Sequence, residues 1–256
     1  MKKIVFSVIA IVLFVTLTFS IIQLRLIQSS GAEEAALHKQ LMEYKPELTV
    51  SASEPAPPAL EPVSPASTPK GNQNILDLQA KYPDAVGWIT IPNTNVDYPF
   101  VQAKDNSYYL RRDLDGKTLS AGTLFMDYRN SADLSGFNTI IYGHNMKNGS
   151  MFGTLKDFDD QTFFDANQTG TVFIANKTYA IEFFAYIVLK ADDSSIYDPS
   201  VSDPLDETAF LAHAKSAARY YRDIGVTAGD HILTLSTCDY EFNDARMVLL
   251  GRLKEI

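Results

Sequence analysis

The chain has 256 residues, 46% of them hydrophobic, with one cysteine and a formal net charge of −9. That apolar content can fill a core, while the acidic balance excludes the basic surface that nucleic-acid binding requires. One cysteine and four scattered histidines lack metal-ligand spacing, so neither a metal nor any other cofactor is expected.

After Met1-Lys2-Lys3 the run Ile4 to Ile22 is broken only by Ser7, Thr16, Thr18 and Ser20. This is close to the roughly 20 apolar residues that cross a bilayer and longer than the about 7–15 of a cleavable signal peptide. It continues into Gln23-Leu24-Arg25-Leu26-Ile27 without a small-x-small cleavage site. Residues 1–27 are therefore read as a cytoplasmic stub and transmembrane signal-anchor in the cell membrane. Lys2 and Lys3 keep the N-terminus cytoplasmic and leave the bulk of the chain extracellular. Residues 28–73 contain Pro46, Pro55, Pro57, Pro58, Pro62, Pro65 and Pro69 among Ser, Ala and Glu, a composition that cannot offset its chain entropy by burial. They are predicted to be a stalk, with Ala32 to Tyr44 able to form a short helix. At about 3 Å per extended residue, such a stalk holds a domain several tens of Å off the membrane.

Residues 74–256 are predicted to be one globular domain, of ordinary size for a single core. Ile75 to Tyr82 has helical apolar spacing and is ended by Pro83. Short β-rich runs follow at Gly87–Ile91, Val96–Val101, Gly122–Met126, Asn138–Tyr142, Thr171–Ile174, Tyr179–Leu189, His231–Thr237 and Arg246–Leu253. Their spacing argues for an antiparallel barrel or sandwich, mainly β with flanking helices. One long helix interrupts them, starting near Asp206 and carrying Phe210, Leu211, Ala214, Ala217, Ala218 and Tyr221, with Gly225 as its stop.

An exported protein normally uses cysteines in pairs, so an unpaired Cys238 is either a buried hydrophobe or a nucleophile. Alternation along His231 to Cys238 puts Ile232, Thr234, Ser236 and Cys238 on one face, and Cys238 sits where the strand runs out into a polar turn. Arg246 opens the next strand, where a guanidinium can stabilise a thiolate or an oxyanion. His144 follows the apolar strand and glycine of Ile140-Ile141-Tyr142-Gly143, placed to exchange protons at a rim. Each residue alone also fits a plain structural role, as His38, His213 and His231 do. Together they indicate cysteine-based acyl transfer.

Thr234-Leu235-Ser236-Thr237-Cys238, eight residues before Arg246, with Tyr142-Gly143-His144-Asn145 upstream and an N-terminal anchor, resembles the sortases of Gram-positive bacteria. Three features resemble class B: the helix before the barrel, the stretch from Gly87-Trp88-Ile89 through Asp105-Asn106-Ser107-Tyr108-Tyr109-Leu110, and the long helix inserted before the cysteine strand. The end of the chain, Arg252-Leu253-Lys254-Glu255-Ile256, shows neither the lid nor the C-terminal membrane segment usual in pilus-polymerising sortases.

The resemblance implies an eight-stranded sortase β-barrel and a transpeptidase. Cys238 would attack the threonine carbonyl of a C-terminal sorting signal, Asn-Pro-x-Thr-Asn-like or Leu-Pro-x-Thr-Gly-like, on a surface protein. A thioester would form, and the protein would pass to an amine of cell-wall peptidoglycan. His144 would shuttle the protons, and Arg246 and the backbone amide of Asp239 would hold the oxyanion. Asn106, Leu110 and Ser236 fall where class B enzymes contact the signal, and Ile196 and Tyr197 in a loop that forms a groove wall. The resemblance also favours a resting pair of neutral cysteine and neutral histidine with a small reactive fraction.

Two other readings stay open: a cysteine endopeptidase whose thioester is resolved by water, and a non-catalytic, membrane-tethered peptide-binding module. Asp157, Asp159, Asp160, Asp192 and Asp193 read as solvated loops rather than a calcium site.

Overall fold

A computed structural model describes residues 2–48, 72–190, 192–238 and 245–256, with the side chains of 2–12, 22–30 and 238 outside that description. The chain forms two compact units, Met1–Glu43 and Tyr44–Ile256.

The first unit is α1 (Lys2–Leu41), a single helix of 40 residues. Within it Thr16 donates to Leu13 O, Thr18 to Phe14 O and Val15 O, and Ser20 to Thr16 O, so these hydroxyls are satisfied by the helix's own backbone. Among the described residues no helix is long and apolar enough to cross a membrane, so the spanning segment expected over Ile4–Ile22 is not found there. The predicted stalk is helical as far as Leu41, and its Pro-rich part, 49–71, lies outside the described residues.

In the second unit α2 (Gln73–Lys81) buries Ile75 and Leu78 and stops at Tyr82, which Pro83 forces out of the helical region to φ −125° and ψ 91°. Residues ahead of this helix also join the unit: Lys45 Nζ meets Asp97 Oδ2 at 2.6 Å and Asn74 Nδ2 donates to Lys45 O at 2.7 Å.

The strands are β1 (Ala85–Thr90), β2 (Asp97–Val101), β3 (Leu124–Met126), β4 (Asn138–His144), β5 (Thr169–Ile174), β6 (Lys177–Lys190), β7 (Ala218–Tyr221), β8 (His231–Cys238) and β9 (Ala245–Glu255). Hydrogen bonding runs in the order β5-β1-β2-β3-β4-β8-β9-β6, and β6 returns to β5, closing an eight-stranded barrel. The pairs β2–β3 and β4–β8 are parallel. The barrel is therefore mixed rather than antiparallel, because the chain crosses over between those strands instead of turning back through hairpins.

Two helices interrupt the strands: α3 (Gln161–Ala166) and α4 (Pro204–Ala217). The helix predicted to reach Tyr221 ends at Ala217, and Ala218–Tyr221 becomes β7. Beyond its pairing with β5, β6 offers a free edge at Ala185–Ile187, which β7 takes. Tyr220 stacks on Tyr186 at 6.4 Å, a cross-strand aromatic pair that outweighs local helix propensity. Phe210 and Ala214 of α4 pack with Phe184, Ile187, Ile232, Val248 and Leu250, so this face of β6, β8 and β9 is covered. In consequence β8 is buried on both faces from Ile232 to Thr237, which explains its nearly continuous apolar reading.

Candidate active site

β8 lies between β4, parallel to it, and β9, antiparallel to it. At the last step of both ladders Cys238 is paired with His144 on one side and with Arg246 on the other. Residues in register across neighbouring strands share a face of the sheet, so His144, remote in sequence, meets Cys238 and Arg246 at one level of one barrel end. A slip of one residue would move all of β8 to the opposite face. Leu233 and Leu235, fully buried on one face, and Ile232, packed against α4 on the other, hold the register. Asp239 lies outside the described residues.

His144 is 8% exposed, and its Nε2 lies 2.7 Å from Leu110 O. A carbonyl only accepts, so Nε2 carries the proton and the neutral ring keeps its lone pair on Nδ1. Burial lowers the His144 pKa, and the positive charges of Arg111 and Arg246 act in the same direction; the bond to Leu110 O opposes them without prevailing. The imidazole is thus neutral at pH 7. The preceding Gly143 is required by space: a Cβ there would lie 2.4 Å from Leu124 Cδ2 and 2.7 Å from Phe152 Cδ2. Arg246 is half-buried and is also paired with Leu189 of β6.

Beside this trio lies a polar network whose centre sequence reasoning missed. Its centre is Asp127, fully buried just after β3. Arg129 grips it with Nε on Oδ1 and Nη2 on Oδ2, both at 2.9 Å. Asn106 Nδ2 and Tyr142 OH donate to Oδ2 at 2.9 and 3.0 Å. Tyr142 lies against Tyr197, ring centroids 6.3 Å apart and 26° from parallel, and the Tyr197 hydroxyl is 2.9 Å from Ser236 Oγ. Burial works to raise the Asp127 carboxyl, but the bonds from Arg129, Asn106 and Tyr142 outweigh it and hold it below the usual carboxylate range. Tyr142 is raised, by burial first and then by the Asp127 charge. Asn106, Tyr197 and Ser236 at its edges were named from the sequence, and Tyr142, two residues before His144 and therefore on the same face of β4, was a further signal.

The fold brings Asn106, Tyr197 and Ser236 into this network and sets Leu110 against His144 through its carbonyl. Ile196, expected on the groove wall, is fully buried among Phe137, Phe210 and Ile232, so its side chain faces the core. The neighbouring backbone is pinned from below, where buried Asn138 donates to Ile196 O at 2.9 Å and Asp198 O at 3.1 Å. Of the acidic loop residues, Asp193 meets His213, Asp159 pairs with Arg219, and Asp160 caps α3 through Phe163 N. Among the described residues no group of three or more His, Cys, Asp and Glu could hold a metal.

A closed mixed barrel with cysteine, histidine and arginine in register at one end defines a thiol-dependent acyl-transfer enzyme. The family model described as the sortase domain matches residues 89–254. The chain is 39% identical over 181 residues to Sortase B of Listeria monocytogenes, covering 70% of this chain and 73% of that protein. The crystal structure of sortase B from B. anthracis in complex with AAEK1 superposes with a TM-score of 0.74 at 32% identity, covering 89% of this chain and 99% of that one. A Staphylococcus aureus sortase B–substrate complex gives a TM-score of 0.75 at 25% identity, with the same coverage of 89% and 99%. The chain belongs to the sortase family, in its class B, and is a sortase-type cysteine transpeptidase.

Proposed function

We propose that this sortase cleaves a C-terminal sorting signal after threonine and joins the released carboxyl of a surface protein to an amine of cell-wall peptidoglycan. The observation that carries the reading is the three-strand register His144–Cys238–Arg246. The Cys238 thiol gives its proton to His144 Nδ1, and the thiolate adds to the threonine carbonyl. Arg246 and the Asp239 amide stabilise the oxyanion. The C–N bond then breaks as His144 returns the proton to the leaving amine, leaving a thioester. An incoming amine, deprotonated by His144, attacks that thioester and restores the thiol. Asn106, Leu110, Tyr197 and Ser236 form the wall along which the signal lies, Asn-Pro-x-Thr-Asn-like or Leu-Pro-x-Thr-Gly-like.

The apolar run Ile4–Ile22 supports a further part of the reading, in which the N-terminus anchors the enzyme in the cytoplasmic membrane with the barrel outside. The 28–73 segment then serves as a tether between the two. Alkaline extraction of membranes should leave the full chain in the pellet; release into the supernatant would refute the anchor.

The decisive experiment incubates the protein with quenched pentapeptide signals, with and without an amine acceptor, and follows the products by mass spectrometry. A thioester on Cys238 and a ligated product are expected, both absent from Cys238→Ala. Cleavage without ligation would make the enzyme an endopeptidase. No cleavage of any signal, with unchanged phenotype in Cys238→Ala cells, would leave a peptide-binding module.

A further inference from the structure

We propose that Asp127 is a positioning residue that sets the signal-binding wall, aligning Asn106 on one side and Tyr197 with Ser236 on the other through a single buried carboxylate. The proposal rests on the transpeptidase reading above and names the group that gives its peptide site a fixed shape.

Five donors converge on Asp127: the backbone N–H, Nε and Nη2 of Arg129, Nδ2 of Asn106 and the hydroxyl of Tyr142. The Asn106 amide is held at both ends, its Nδ2 on Asp127 and its Oδ1 accepting from Tyr128 N at 3.0 Å. Its carbonyl oxygen therefore cannot exchange places with its nitrogen while Asp127 is ionised. On the other side the carboxylate acts through two routes. Tyr142 carries its influence to the Tyr197 ring, and Arg129 Nη2 donates to Tyr197 O at 3.1 Å, fixing the backbone of the same residue. Tyr197 in turn meets Ser236, two residues before Cys238 on the same face of β8. Asp127 itself is in register with the barrel, its N–H donating to Ile140 O at 2.9 Å. The carboxylate thus refers both halves of the wall to the strand that carries His144.

Asparagine at 127 keeps the shape but presents an amide group to donors on both sides, whichever way it is turned. The Arg129 side chain is 42% exposed, so water can solvate the guanidinium that loses its partner, and the fold should survive Asp127→Asn.

Steady-state kinetics on a signal peptide, with thermal unfolding alongside, test the role in the full chain. Asp127→Asn should raise KM about tenfold with kcat within about threefold, the mark of lost binding rather than lost chemistry. Added to Asp127→Asn, Asn106→Ala should raise KM by less than about twofold further, because the amide it removes is no longer aligned. A KM within about twofold of the native value, or an Asn106→Ala effect as large in Asp127→Asn as in the native chain, would overturn the proposal. If the native chain cleaves no signal, the transpeptidase reading falls separately. The positioning role is then read from the Asn106 side-chain amide resonances by NMR. These should shift and exchange faster in Asp127→Asn, and unchanged resonances would overturn it.

Discussion

At the residue scale, the proposed chemistry gives the two nitrogens of His144 different duties. Leu110 O holds the proton on Nε2, and burial with two nearby arginines keeps the ring neutral. Since His144 is not an imidazolium at pH 7, it offers no cation to draw the Cys238 thiol into the thiolate form. Alkylation of Cys238 by iodoacetamide should therefore be slow at neutral pH and accelerate well above pH 7; a thiolate titrating near pH 5 would refute a resting neutral pair. Replacing Arg246 by alanine should cut kcat about 10²–10³-fold, as removal of an oxyanion partner does. Gly143→Ala places a methyl group inside Leu124 and Phe152, so it should cost about 1–3 kcal/mol and displace His144, visible as lower activity with a lower unfolding temperature. For Asp127 the folded pKa is depressed, so its stabilisation is present above the ordinary carboxylate pKa and lost as pH falls through the lower folded value. Acid unfolding of Asp127→Asn should lack that component, seen as a shallower fall of the unfolding temperature with decreasing pH.

At the element scale, strands β4, β8 and β9 were legible because each is a run of apolar and β-branched residues bounded by Gly, Asn or Asp. The adjacency of β8 and β9 was legible too, since only six residues separate them in sequence, but that of β4 and β8 was not, since local pattern carries no information on which distant strands pair. β7 was hidden for a related reason: Ala218–Tyr221 continues the apolar spacing of α4, and only the vacant edge of β6 turns it into a strand. Ile196 shows the same limit at one position, since a residue beside Tyr197 is read as groove wall until the core beneath it is seen. The loop it belongs to depends on Asn138, whose side chain also accepts from Thr234 Oγ1 at 2.6 Å. Asn138→Ala should cost about 3 kcal/mol, as a buried hydroxyl and two carbonyls lose their partner. It should also raise proteolytic cleavage near 196–198; cleavage at the native rate would show that this side chain does not hold the loop.

At the scale of the whole molecule, closure of the ring from β5 round to β6 leaves the short β7, paired only with β6, as the edge of the sheet among the described residues. The unit that includes this barrel begins at Tyr44, ahead of the helix that opens it. A chain starting at residue 44 should thus unfold later than one starting at 72, by up to about 3 °C, because the Lys45 bonds to Asp97 and Asn74 are half-exposed and worth about 1 kcal/mol together. Equal midpoints would show that those bonds contribute nothing. By itself the sequence determined that the chain is mainly β with flanking helices and holds one cysteine, and it pointed to that thiol, with a histidine and an arginine, as the proposed centre of the chemistry. Those properties reside in residue type and short-range period, which a linear reading retains. Only the tertiary structure decided that His144, Cys238 and Arg246 share one level of adjacent strands, which nitrogen of His144 holds its proton, and that Asp127 gathers Arg129, Asn106 and Tyr142. Those depend on strand pairing and on burial, which arise only when distant segments close the barrel.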